Sequence, residues 1–231
     1  MDVQRVARAH RACVLLALSL GVVAILPTPR ATVAAQSAPA HPPSSATADS
    51  FDQLYERGQR VNATIRTLTA QFTETTTSSL LVRPLVARGT LAVERPSRVV
   101  LHYAEPESRV VLIDNNKMTM TWPSRQVMDV GAAMGRVQRY FVDGSAADLR
   151  RQFDIDDKQT NDRPGTFRVA MVPKQKRIRE ALDKLELWVD RESFLLSSMR
   201  MTFANGDTKT MTFENVVPNA TLPVGTFTIG R

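Results

Sequence analysis

This sequence predicts a mainly β, α+β domain: a single strongly curved antiparallel sheet or incomplete barrel with its helices on the concave side. Three observations lead there. About eleven segments from Leu68 onward repeat apolar side chains with a period of two, which is the spacing of a half-buried strand. The connections between them are short and made of turn residues, which joins consecutive strands as antiparallel neighbours. Helical periodicity appears only ahead of the first strand and in one insert, so the architecture is a sheet with a few helices laid on it.

Phe51, Leu54, Tyr55, Gly58, Val61 and Ile65 fall at helical spacing, and Asp49 or Ser50 can cap the start, so an amphipathic helix opens the domain. The period then changes to two in Leu68 to Thr77, Leu85 to Glu94, Arg98 to Ala104, Arg109 to Ile113, Lys117 to Trp122 and Gln126 to Val130. Between them stand Arg95-Pro96-Ser97, Glu105-Pro106-Glu107, Asp114-Asn115-Asn116 and Pro123-Ser124, all turn chemistry. Gly131 to Gln152 reads as a helical insert, with Met134, Val137, Tyr140 and Phe141 forming one apolar group and Leu149 following Asp143-Gly144-Ser145. Strands resume at Phe153 to Asp156, Thr166 to Val172, Lys184 to Asp190, Leu195 to Phe203, Lys209 to Asn215 and Thr226 to Ile229, with Asn205-Gly206-Asp207 as a tight hairpin.

Alternation also assigns faces. In the run from Arg88 to Pro106, Leu91 and Val93 share a side, as do Val99, Leu101 and Tyr103; Pro96 cannot donate to a ladder, so the chain turns there. That leaves Arg95, a permanent cation with five donors, at a strand end beside an apolar surface. Met118, Met120 and Trp122 share a face, and so do Leu185, Leu187 and Val189, then Met199, Met201 and Phe203. Nine methionines is a generous number. Flexible thioethers suit variable apolar ligands and fill an ordinary core equally well.

Residues 1–35 carry the pattern of a secretory signal: Arg5, Arg8, His10 and Arg11, then the apolar stretch Cys13 to Leu26, then Val33-Ala34-Ala35 as a cleavage site before Gln36. Gln36 to Ser50 is rich in Pro, Ala and Ser and reads as a flexible linker, which leaves 51–231 as one domain. Residues 1–35 hold four of the 30 Lys and Arg and one of the 23 Asp and Glu, so the formal +7 falls to +4 beyond them. A modest positive charge on an exported protein suits anionic headgroups or acidic partners, and the chain lacks the aromatic and basic interleaving of a nucleic-acid binder.

Cys13 is the single cysteine, so the exported part has no disulfide, thiolate metal site or cysteine nucleophile to draw on. His102 is the one histidine of the domain, no Gly-x-Ser-x-Gly elbow is present, and Asp154, Asp156 and Asp157 lack the rest of a calcium loop. The inference is a binding protein with an apolar site.

Taken in order, the residues resemble the LolA family of periplasmic carriers of outer-membrane lipoproteins. The resemblance rests on Ile65-Arg66-Thr67-Leu68-Thr69-Ala70-Gln71-Phe72-Thr73-Glu74, Gly89-Thr90-Leu91, Glu94-Arg95-Pro96, the spacing from there to Glu105-Pro106, the turn at Asp114, and Phe227. It implies an unclosed antiparallel β-barrel with an N-terminal helix and a helical lid, Gly131 to Gln152, on the concave side. Acyl chains would lie in an apolar cavity walled by Leu91, Val93, Val99, Leu101, Tyr103, Met118, Met120, Trp122, Met199, Met201 and Phe203. Arg95 would correspond to the family's latch, which hydrogen-bonds the backbone of the lid carrying Met134, Val137, Tyr140 and Phe141. The implied protein is a monomeric carrier, with no cofactor, metal or catalytic residue, that takes lipoproteins from an inner-membrane releasing complex to an outer-membrane acceptor. Two other readings stay open: a LolA-like carrier of glycolipid or another acylated product, and a lipid-sensing regulator like RseB or MucB.

Overall fold

The computed structural model describes residues 51–115, 117–123, 127–129, 145–156 and 162–228. Helix α1 (Phe51–Asn62) leads into β1 (Thr67–Thr77), β2 (Leu85–Glu94), β3 (Arg98–Glu105), β4 (Arg109–Asp114), β5 (Lys117–Thr121) and β6 (Val127–Asp129). Helix α2 (Ala146–Gln152) follows, then β7 (Phe153–Asp156), β8 (Thr166–Pro173), the single turn α3 (Lys176–Arg179), β9 (Leu182–Asp190), β10 (Leu196–Phe203) and β11 (Thr208–Pro218). All eleven strands form one antiparallel sheet in the order β6-β5-β4-β3-β2-β1-β11-β10-β9-β8-β7. Each strand pairs with its sequence neighbour except where β1 meets β11. The edges β6 and β7 do not pair, so the sheet curves without closing.

The register lines up one side chain per strand in rows across the sheet. Leu68, Val93, Val99, Ile113 and Met118 make one row, and Ala70, Leu91, Leu101, Val111 and Met120 the next. On the other half, Met211, Met199, Leu187 and Val169 stand abreast, then Lys209, Met201, Leu185, Met171 and Ile155. These rows face the concave side and merge into one core with Phe51 and Tyr55 of α1 and Leu149 of α2. Burying this face is what drives the helices onto it.

Local chemistry explains the helix boundaries. Ser145 and Asp148 form a reciprocal capping box at the start of α2, with Asp148 N–H donating to Ser145 Oγ (3.1 Å) and Ser145 N–H to Asp148 Oδ2 (2.8 Å). Helix α1 ends at Asn62, one residue past Val61, which is exposed instead of joining the expected apolar stripe; Ile65 is buried beyond the helix end. Of the insert expected over Gly131 to Gln152, Ala146–Gln152 is helical and residues 131–144 lie outside the described residues.

One expected strand is absent. Thr226 to Thr228 do not extend the sheet, and Ile229 lies outside the described residues. Strand β11 runs on to Pro218 instead, and the chain then leaves the ladder. Prolines 218 and 223 cannot donate to a ladder, and Asn219 (φ 55°) and Gly225 (φ 87°) turn the backbone. The segment is held by Thr226 N–H to Pro223 O (3.2 Å) and Thr228 N–H to Gly225 O (2.8 Å). It crosses the convex face, where Phe227 lies under the Arg98 guanidinium, 5.0 Å from its ring centre.

Candidate functional site

The residues expected to wall an apolar cavity converge. Leu91, Val99, Leu101, Tyr103, Met118, Met199, Met201 and Phe203 are all buried in the same cluster, and Val93 and Met120 pack partly buried against it. Trp122 is half-buried one residue beyond β5 and is not part of the cluster. Among the described residues, α1 and α2 cover this wall, and Ile178 of α3 packs against its edge. Helices α1 and α2 are clamped together by Arg150 Nε donating to Asp52 Oδ1 (3.0 Å), with the same guanidinium 5.2 Å from the Phe51 ring centre.

Arg95 makes a contact with the end of α1. Its Nη1 donates to the carbonyl of Asn62 at 2.6 Å, the last residue of α1, where helical carbonyls have no partner within the helix. Half-burial, and then the neighbouring Arg66 charge, lower its pKa to about 10, so it stays a cation at neutral pH. Asn62 is also tied down by its side chain, whose Nδ2 donates to Phe194 O at 3.2 Å. Arg95 thus ties down the end of α1; the lid residues Met134, Val137, Tyr140 and Phe141, whose backbone it was expected to bond, lie outside the described residues.

Gly89, part of the Gly89-Thr90-Leu91 stretch that carries the family resemblance and lying within β2, has a packing reason. It stands between Phe72 and Tyr103, whose rings meet edge to face with centres 4.9 Å apart. A Cβ there would sit 2.0 Å from the His102 carbonyl oxygen and 2.8 Å from the Phe72 ring, so only glycine fits.

Sequence reasoning missed a polar cluster set into the apolar wall. Glu74 on β1 is buried; it accepts from Lys209 Nζ (2.7 Å) and from the Tyr103 hydroxyl (2.9 Å), with an Arg109 Nη 4.0 Å away. The Arg109 guanidinium lies 3.7 Å from the Tyr103 ring centre, a cation over an aromatic face. Burial first, then the Glu74 charge, push the Tyr103 hydroxyl far above its usual range, so it remains a neutral donor. Two cations around one carboxylate leave an excess positive charge in the wall. The available signal was alternation: Glu74 follows Ala70 and Phe72, and Lys209 precedes Met211 and Phe213, at apolar-phase positions.

The convex face differs. Trp188 is buried there between the guanidinium groups of Arg163 and Arg200, 4.4 and 5.5 Å from its ring centre, and its Nε1 donates to Asp162 (3.3 Å). Glu186 beside it is paired with Arg168 and with Lys184. A cavity of about 390 Å³ opens between the C-terminal segment at Leu222 and Pro223 and the side chains of Thr90, Ala92 and the exposed His102.

A half-open antiparallel barrel with a largely apolar wall beneath helices defines a class of proteins built around one sheltered hydrophobic face. The sequence model described as outer membrane lipoprotein carrier protein LolA matches residues 63–230. The chain belongs to the LolA family of outer membrane lipoprotein carrier proteins. It is 25% identical over 178 residues to an outer-membrane lipoprotein carrier protein of Pseudomonas entomophila, covering 76% of this chain and 79% of that one. Solved structures similar to it include a LolA superfamily protein of Nitrosomonas europaea, with 10% identity, a TM-score of 0.41, and coverage of 76% of this chain and 96% of that one. Another is MucB in complex with MucA from Pseudomonas aeruginosa, with 13% identity, a TM-score of 0.43, and coverage of 71% and 56%.

Proposed function

We propose that this protein carries acyl chains of lipidated cargo, foremost lipoproteins, across the periplasm from an inner-membrane releasing complex to an outer-membrane acceptor. The observation that supports it is the set of apolar rows crossing both halves of the sheet, covered by helices instead of a second sheet. Residues 1–35 are the export signal, cleaved after Ala35, 36–50 the tether, and 51–231 the monomeric carrier domain.

The energetics call for such a device. Each methylene moved out of water is worth about 0.8 kcal/mol, so two or three long chains carry tens of kcal/mol of exposure into an aqueous compartment. The carrier must replace that exposure with burial and then reverse it, so its cover has to compete with the acyl chains within a few kcal/mol. Helices held at a few polar points meet this condition. The Arg95 bond to Asn62 O is one such point, worth about 1 to 3 kcal/mol to the covered state.

Arg95→Leu is then expected to keep or tighten the binding of a triacylated lipopeptide, measured by displacement of an apolar dye, while slowing hand-off to an acceptor by about tenfold. Unchanged hand-off by the variant would remove the latch from the account. Failure of the wild-type protein to take up any acylated molecule would remove the carrier role itself.

A further inference from the structure

Five of the nine large apolar side chains exposed among the described residues lie in one hairpin: Leu80, Leu81, Val82, Leu85 and Val86, at the β1–β2 connection. The tip is shaped to show them. Leu81 N–H donates to Ser78 O (3.1 Å) and Leu80 N–H to Ser78 Oγ (3.2 Å), a local turn whose anchor Ser78 is buried while residues 79–86 all face solvent. Arg83 and Pro84 stand at the summit among the leucines and valines.

The sheet places a basic turn on the same rim. Thr77 pairs with Thr208, Thr202 with Thr208, Phe203 with Leu182, and Met171 with Leu185, so the end of β1 and the β8–β9 connection open toward one end of the barrel. At about 4.8 Å per strand they lie roughly 15–20 Å apart along the sheet. That connection holds Lys176, Arg177 and Arg179, all exposed and unpaired among the described residues, with Glu180 and Asp183 as its acids; Lys174 beside them is engaged by Asp154 at 3.2 Å. Across the rim, Arg88 and Glu105 neutralise each other at 3.1 Å, and Glu107 is exposed.

We propose that this rim docks on the surface of an anionic phospholipid bilayer, with the β1–β2 tip dipping into the headgroup layer and the β8–β9 cations resting on it. A convex tip with apolar side chains on every side has no groove of its own to fill and needs none in a bilayer, whose interface accepts any shape. Cations beside the apolar tip add attraction to negative headgroups, and Arg83 reaches back to them from the summit. The opposite end of the barrel has a different character: its turns present Arg95, Ser97, Asp190, Arg191, Glu192 and Ser193 and are hydrogen-bonded to their neighbours. The docking concerns where the molecule rests and stands apart from what its wall carries.

The test uses the mature chain from Gln36, which has no cysteine of its own, with a single reporter cysteine at V82C labelled with a polarity-sensitive fluorophore, and the same label at E192C on the far end as control. With vesicles of equal parts phosphatidylethanolamine and phosphatidylglycerol, the label at 82 shifts to the blue and brightens several-fold, and the label at 192 does not. Phosphatidylcholine vesicles give little response. Reversing Arg177 and Arg179 to Glu weakens the response by about tenfold or more, and Leu80→Ser with Leu81→Ser abolishes it. An unshifted label at 82, equal shifts at both positions, or a shift that appears only when a membrane protein is reconstituted in the vesicles overturns the proposal, the last in favour of a protein acceptor.

Discussion

The two faces of the sheet are both shielded from water, but by different means. On the concave face the cover includes a pair of helices held by separate polar contacts near their ends, among them Arg95 to Asn62 O, Asn62 to Phe194 O, Arg150 to Asp52 and Lys174 Nζ to Arg150 O. On the convex face it is made of long charged side chains laid over Trp188 and of a C-terminal segment stitched to β1. Asn219 N–H donates to Thr67 O (2.7 Å), Arg66 N–H to Asn219 Oδ1 (2.8 Å) and Thr67 Oγ1 to Ala220 O (2.6 Å). A few end contacts can be given up for an incoming ligand of comparable apolar area, while a hydrogen-bonded ladder of short contacts resists exchange. The concave side is thus the one suited to trading its cover.

The largest test of this contrast is the polar exception in the concave wall. Glu74→Leu leaves Lys209 buried without its carboxylate and is expected to cost about 3–5 kcal/mol, read from the urea unfolding midpoint. Adding Lys209→Met should recover much of that loss, because Arg109 is partly exposed; no recovery would show that Glu74 acts through Tyr103 and Arg109 instead.

Gly89→Ala comes next. Its Cβ meets the His102 carbonyl, so strands β2 and β3 must part, at a cost of about 2–3 kcal/mol by thermal denaturation. A neutral result would mean the Phe72–Tyr103 contact is looser than its geometry.

On the convex face, burial alone would raise the Glu186 carboxyl, but Arg168 and Lys184 outweigh it and hold its pKa below the ordinary value. A carboxylate lowered on folding contributes stability above its unfolded pKa and loses it as the pH falls through the folded one. Between pH of about 5 and about 3 the wild-type urea midpoint should therefore fall more steeply than that of Glu186→Gln. Parallel curves would assign the acid sensitivity to other carboxylates.

Phe227→Ala should have the smallest effect, about 0.5–1 kcal/mol, since it removes a half-buried ring's contact with the exposed Arg98 while the C-terminal segment stays stitched at Asn219. A loss as large as that of Glu74→Leu would mean the segment is a full structural partner of the sheet.

Most of the sheet was legible because alternation and short turns are local signals. The register from Leu91 to Leu101 and from Met199 to Leu187 follows from side chains that share a phase. What escaped depends on distant partners. Thr226 to Thr228 have strand-like composition, yet prolines and positive-φ residues upstream had already taken the chain off the ladder. Glu74 and Lys209 are 135 residues apart, so only the fold shows that each neutralises the other. Arg95 was identifiable as a cation at a strand end; that its partner would be the terminal carbonyl of α1 required knowing where the helix stops.

Whether the concave wall is an acyl-chain site can be read by native mass spectrometry of the protein purified without detergent from the periplasm. A carrier gives a fraction whose mass is the mature chain plus an acylated protein, with triacylated lipopeptide loading the remainder one to one. A protein that emerges empty and stays empty when offered acylated lipopeptides, lipids and fatty acids would contradict an acyl-chain site.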